Sequence, residues 1–420
     1  MIISIFTIIF FYIEEKLLKI VKTKYILTPN RLLLNKAVAF NEKIVDIDDF
    51  KTLKRKFNGA KIFEYGDNSC LLPGFINSHV HLEFSANRAT LLYGDFITWL
   101  NSVIEKREEL ISRCDEECIK NSLDTILKSG TTTIGAISSF GLDLLPCSNS
   151  SLKVIYFNEI IGSNPAAADM LFSDFLHRVE KSKEFKSKKF IPAVAIHSPY
   201  SVHRVLAKKA IDFAKDNSLL ISTHFMESKA EREWLDNKRG DFKKFFEQFN
   251  QSIPVNRAKD FLSLFDGYPS LFAHCVWANK EELEVLKNQN HTIIHSPVSN
   301  RLLGNGVLNF DKIKDLNVAV ATDGLSSNYS LNLYDELKAA LFIHSYIELK
   351  KLAFDLIKSV TINAAKALRL NSGEIKIDMA ADLQIVKLPN DLENLESIAL
   401  HIILNNKMPK NIFIEGELHG

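Results

Sequence analysis

Between residues 71 and 370, short apolar runs alternate with longer stretches whose apolar positions recur every three or four residues. The short runs read as strands at 71–78, 131–137, 153–157, 190–196, 219–223, 270–273, 292–294 and 318–322. Helical periodicity separates most of them, for example over 202–216, 280–288 and 331–350. Regular β-α alternation on this scale predicts a (β/α)8 TIM barrel. Residues 235–253 are polar, charged and Phe-containing, and read as a helical insertion after the fifth strand.

Outside that region the pattern shortens. Strand-like runs cover 20–27, 37–47 and 62–65, with Thr28, Pro29 and Asn30 as turn residues after the first. Two more, 381–386 and 412–414, lie near the other end. The expectation is an α/β protein with a small composite β-sandwich domain from both chain ends (20–70 plus 371–420) and the barrel (71–370) between them. Residues 1–13, MIISIFTIIFFYI, are almost wholly apolar but fall short of the roughly 20 needed to span a bilayer. The segment 1–19 reads as an extension ahead of the folded protein, with a membrane anchor or an extra strand or helix as the alternatives, and membrane attachment is not the expectation.

Composition narrows the classes. The 420 residues are 46% hydrophobic and 25% charged, which suffices for a large core. Fifty-two Lys+Arg against 51 Asp+Glu leave a charge of +1, so no general field attracts nucleic acid. Cys70, Cys114, Cys118, Cys147 and Cys275 are odd in number and form no CxxC, which argues against a disulfide framework and for a reducing cytoplasm.

Chemistry concentrates where barrel strands end, the face on which such barrels hold their sites. The first run, LLPGFINSHVHL, ends in His79 and His81, which share a direction because residues i and i+2 of a strand do. Later runs end at His197, His224, His274, His295 and Asp323, with Glu227 three residues after His224. One histidine after an apolar run is ordinary, but a polar residue at the same level in six of eight strands is hard to ascribe to packing. His79, His81, His224 and Asp323 supply three imidazoles and a carboxylate, a donor set for one divalent ion that keeps a position open for water. Such an ion brings the pKa of bound water towards neutrality, and Asp323 could accept its proton. Glu227 in a closed site would have a raised pKa and could protonate a ring nitrogen.

These motifs resemble the amidohydrolase superfamily. HVH, THFME, AHC and TDG, in that order, are similar to its branch that deaminates purines, nucleosides and related rings. PGFINSHVH, HSPYS, FAHCVW, HSPVSN with LLGNG, and TDGLSSNYSLNLYDELKAA extend the likeness over residues 21–415. The resemblance implies a metal-dependent barrel with metal ligands His79, His81, His224 and Asp323. It implies that His274 orients the attacking water, that Glu227 protonates the ring nitrogen, and that His197 contacts sugar or base. His295 and Ser327 would line the substrate pocket. Two-metal relatives use a Lys carbamate where this chain has His197, which implies one metal: Zn²⁺, with Fe²⁺ and Mn²⁺ as alternatives.

The implied substrate is a small adenine-containing nucleoside. LEFSANR after His81 departs from the Met-rich run of S-adenosylhomocysteine deaminases, and no arginines match those that grip an amino-acid carboxylate. LEFSANR and WLNSVI resemble instead the deaminases of 6-aminodeoxyfutalosine, which serve menaquinone biosynthesis. S-adenosylhomocysteine, methylthioadenosine, guanine and an s-triazine are the alternatives. WLNSVIEKREEL offers Glu105, Glu108 and Glu109 as partners for a ribose diol without choosing among them. A non-enzymatic subunit would be expected to lose ligands, and all four are present. A homodimer is the ordinary expectation for such an enzyme.

Overall fold

The computed structural model describes residues 17–29, 31–88, 90–390, 392 and 394–419. The apolar run 1–13 lies outside the described residues. Eight parallel strands neighbour one another in chain order: β1 (Phe75–Val80), β2 (Thr131–Ser138), β3 (Lys153–Ile160), β4 (Phe190–Ile196), β5 (Ile221–Phe225), β6 (Leu271–His274), β7 (Thr292–His295) and β8 (Asn317–Val320). Small and branched side chains, among them Ile76, Ile137, Ala195, Ala273 and Ile294, fill the interior. Helices cover the outside. Arg204–Asp216 turns Leu206, Ala207, Ala210, Ile211 and Ala214 inward at helical spacing. Lys280–Asn288 starts at a capping box in which Asn279 and Glu282 each bond the other's backbone.

A side chain completes the seam between β8 and β1. Asn77 Nδ2 donates to Thr322 Oγ1 at 2.7 Å, the Thr322 N–H donates to Asn77 Oδ1 at 3.1 Å, and the Asp323 N–H donates to the His79 carbonyl at 3.1 Å. Asn77 is fully buried. Asn77→Ala would strand the Thr322 amide, at a cost of about 1–3 kcal/mol. A lower thermal midpoint is the expected result, and an unchanged one would show that the backbone alone holds the seam.

Both chain ends build two further sheets. One runs in the order Glu417–His419, Asn411–Ile414, Leu383–Lys387, Ser69–Pro73, Tyr25–Leu27, Leu32–Leu34. The other runs Ile44–Asp49, Lys36–Phe40, Lys19–Lys22, Lys61–Glu64. Their apolar faces meet in one core, with Val21, Val38 and Phe40 against Ile26, Leu383 and Phe413. A buried ion pair, Lys153 Nζ to Asp382 Oδ2 at 2.8 Å, ties barrel to sandwich.

Several elements differ from the sequence reading. The run 71–78 splits at Gly74 into Ser69–Pro73, which pairs with Leu383–Lys387, and barrel strand β1. A Cβ at Gly74 would lie 2.2 Å from Thr132 Cγ2, so glycine allows the chain to cross between sheets. The runs 20–27 and 37–47 are each two strands. The helical pattern 331–350 breaks after Leu333–Ile343, where buried His344 ends the helix, and Glu348 caps Leu349–Ser359 by accepting from the Lys350 and Lys351 N–H groups. The insertion contains the helix Asp241–Glu247, whose Phe242 ring packs at a tilt against that of Tyr200, with centroids 4.6 Å apart. Among the described residues no helix is long and apolar enough to cross a membrane.

Candidate active site

The C-terminal ends of the barrel strands converge. His79 and His81 leave β1 with their Nε2 atoms 3.2 Å apart. Asp323 Oδ1, just beyond β8, lies 3.8 Å from His79 Nε2 and 3.6 Å from His81 Nε2. The His224 ring at the end of β5 is centred 4.9 Å from that of His79. Its Nδ1 donates to the His197 carbonyl at 2.8 Å, which leaves Nε2 as the lone-pair nitrogen. His274 Nε2, buried and without a hydrogen bond, faces Glu227 Oε1 at 3.6 Å and Asp323 Oδ2 at 4.0 Å.

Departures from simple strand geometry aim these groups. Ile76 faces the barrel interior, and so does His79 three residues later, because the β1–β2 register shifts between Asn77 and Val80. With Ala273 inside, alternation would send His274 outward; its φ of 72° turns the ring back. Met226, Cys275 and Asp323 are likewise left-handed, at φ of 50°, 51° and 60°. Such non-glycine residues cost of order 1 kcal/mol each and cluster where side-chain placement matters.

A layer of hydrogen bonds holds the cluster. Asp323 Oδ2 accepts from Ser299 Oγ at 2.8 Å and Ser327 Oγ at 2.9 Å, and Oδ1 accepts from the Gly324 N–H at 2.8 Å. His274 Nδ1 bonds Asn300 Oδ1 at 2.9 Å, and Asn305 Nδ2 donates to Glu227 Oε1 at 3.1 Å. Buried Glu231 accepts from the Met226 and Glu227 N–H groups at 3.0 and 2.9 Å, fixing the bend that presents Glu227. Glu231, Ser299, Asn300 and Asn305 were not among the residues expected from the sequence, although signals were present. Ser228-Lys229-Ala230-Glu231 is an S-x-x-E helix start, Ser299 and Asn300 lie in HSPVSN, and Asn305 lies in LLGNG.

Three expected pocket residues take different places. His295 is not brought to the cluster. Ile294 occupies the barrel interior, so alternation turns His295 outward, where its Nε2 meets His344 Nε2 at 3.0 Å beside Phe310. Ser327 is buried against the Asp323 carboxylate. His197 adjoins the cluster, its ring 5.0 Å from His224, with Nδ1 bonded to Ser201 Oγ at 2.6 Å. Glu105, Glu108 and Glu109 are exposed on the helix Phe96–Ser112.

Burial sets the protonation states. It pushes the His79 and His224 imidazoles well below their ordinary pKa, with neighbouring imidazoles adding to the effect, so both are neutral donors. Burial alone would raise Asp323, but the His81 side chain first of all, and the hydrogen bond from Ser299 besides, favour its charged form and hold the carboxyl at about 2. Glu227 goes the other way: burial, then the Asp323 charge, push it well above the usual carboxyl range. One carboxylate is thus ionised beside the histidines while its neighbour keeps a proton. The donor set fits a divalent ion. Ligand atoms about 2.1 Å from a shared centre at tetrahedral angles lie roughly 3.4 Å apart, close to the 3.2–3.8 Å found among His79, His81 and Asp323.

The amidohydrolase family matches residues 70–418. The chain is 53% identical, over 96% of its length and 99% of the other's, to an aminodeoxyfutalosine deaminase of a Nitratiruptor species. It is 38% identical to an adenosine deaminase of Helicobacter pylori, over 90% of this chain and 93% of that one. The crystal structure of H. pylori aminofutalosine deaminase in complex with methylthio-coformycin superposes with a TM-score of 0.91 at 35% identity, covering 96% of this chain and all of that one.

Proposed function

The chain belongs to the amidohydrolase family, and from this we propose that it hydrolyses the 6-amino group of 6-aminodeoxyfutalosine, yielding the 6-oxo purine and ammonia. It is an aminohydrolase acting on an adenine nucleoside. The observation that carries the substrate is the 53% identity to an aminodeoxyfutalosine deaminase across almost the whole of both chains. The corresponding place in metabolism is menaquinone synthesis.

His79, His81, His224 and Asp323 would hold one divalent ion, Zn²⁺ in this proposal, since neutral imidazoles with a carboxylate suit it. Bound there, the ion supplies Lewis acidity that makes water a nucleophile near neutral pH. Glu227, protonated in its buried setting, donates to the ring nitrogen beside the attacked carbon and so localises the electron deficiency there. His274, its Nδ1 engaged by Asn300, turns Nε2 to the attacking water. Asp323, ionised and held by Ser299 and Ser327, is the acceptor for the water's proton. That proton then leaves with the amine as ammonia, and the proton remaining on the new C6 hydroxyl returns to Glu227 as the 6-oxo group forms.

The test is ammonia release by metal-replete protein on 6-aminodeoxyfutalosine, S-adenosylhomocysteine, methylthioadenosine and adenosine in parallel. A kcat/KM of about 10⁵ M⁻¹s⁻¹ or more on the first, well above the rest, is the expected result. Equal rates on all four would replace this substrate with 5′-modified adenosines in general.

A further inference from the structure

Glu159 lies within the C-terminal end of β3, a strand on which the sequence reading placed no site residue. It is 1% exposed. Its Oε2 accepts from Ser139 Oγ at 2.5 Å, while Oε1 is buried and has no hydrogen-bond partner. Among the described residues no Lys or Arg pairs with it. Arg178, the near cation, donates instead to the Glu159 carbonyl at 2.7 Å and to Asp174 at 3.0 Å, fixing the strand end but not neutralising the side chain. Glu159 presents an acceptor within 4.8 Å of ring nitrogens of His197 and His224. An acceptor buried without a donor is costly unless a ligand provides one.

What donor arrives there follows from substrate chemistry, given the deamination proposed above. An adenine nucleoside carries N–H donors only on its exocyclic amine, the group that is lost beside Glu227 and His274. Its remaining donors are sugar hydroxyls. A second cation is the competing occupant, but His224 Nδ1 is held by the His197 carbonyl and its Nε2 belongs to the first ion's donor set, while His197 Nδ1 is held by Ser201, so only His197 Nε2 would remain beside Glu159. The three carboxylates that the sequence offered for a ribose, Glu105, Glu108 and Glu109, lie exposed on their helix. We propose that Glu159 is the residue that reads the ribose, its free carboxylate oxygen accepting a sugar hydroxyl beside His197. Carboxylates bind ribose hydroxyls in this way in dinucleotide sites. Ser139 and Arg178 are then positioning residues that hold Glu159 and its strand end in place.

The experiment compares wild type, Glu159→Gln and Glu159→Ala on 6-aminodeoxyfutalosine and on its 2′-deoxy and 3′-deoxy analogues, with metal per chain measured for each protein. A hydrogen bond to a charged acceptor predicts that wild type loses roughly 10- to 100-fold in kcat/KM on one deoxy analogue. Glu159→Ala should lose a similar factor on the ribosyl substrate, mainly in KM, and lose little more when that hydroxyl is also absent. Glu159→Gln, which keeps an acceptor, should fall between. Equal losses on ribosyl and deoxy substrates, or no loss at all, would overturn the assignment. So would a second metal equivalent that disappears with Glu159. The wild-type comparison stands even if both variants misfold, since indifference to both hydroxyls would itself refute ribose reading. Wild type inert on every adenine nucleoside would remove the proposed function and this assignment together, whereas active wild type without the coupling removes only Glu159.

Discussion

Glu227→Gln is expected to lower kcat by about 10²-fold or more while the protein keeps its full metal content. The substitution is nearly isosteric, and the new amide oxygen can still accept from Asn305, so the local packing at 3.1 Å should survive. What is lost is the proton. Burial, reinforced by the ionised Asp323 nearby, keeps the Glu227 carboxyl protonated well above the usual range, and an amide has no such proton to deliver. KM should change less than kcat, because proton delivery matters in the transition state. Normal turnover in this variant would remove Glu227 from the role of general acid. Metal analysis of the same samples separates this failure from loss of the site.

His79→Ala and His81→Ala should fail differently, with metal and activity disappearing together. The two Nε2 atoms are 3.2 Å apart and lie opposite one carboxylate oxygen, so each would be a direct ligand. Losing an outer partner of a metal site typically costs about 10- to 100-fold in affinity, and losing a ligand should exceed that. Excess metal should restore activity only in part. The barrel itself should remain folded, since its interior is apolar and its seam is closed by Asn77, so melting should show a cooperative transition in the variants. Full metal content in His81→Ala would transfer the ligand role to another member of the cluster.

The barrel and the gathering of polar side chains at its strand ends were legible in the chain, because both are written in local periodicity. Alternating strand and helix patterns specify eight β-α units, and an i, i+2 pair at a strand end specifies two imidazoles with a common direction. His224, Glu227, His274 and Asp323 were legible for the same reason: each follows an apolar run at the level where the strand leaves the barrel. Other features depend on partners far along the chain and emerged from the folded molecule. Only pairing with Leu383–Lys387 separates Ser69–Pro73 from β1, although the two read as one apolar run. Only the bulge after Asn77 and the left-handed turn at His274 show which imidazoles face inward, and both are matters of register and backbone conformation. Strand parity sends His295 to His344, while the helix that follows, Pro297–Leu302, brings Ser299 and Asn300 to the site. Glu159 was invisible because an acid at a strand end reads as solvent-facing until the neighbouring strands bury it with one oxygen left without a donor. Local patterns set the direction of a side chain relative to its own strand; what it meets depends on how the strands are assembled.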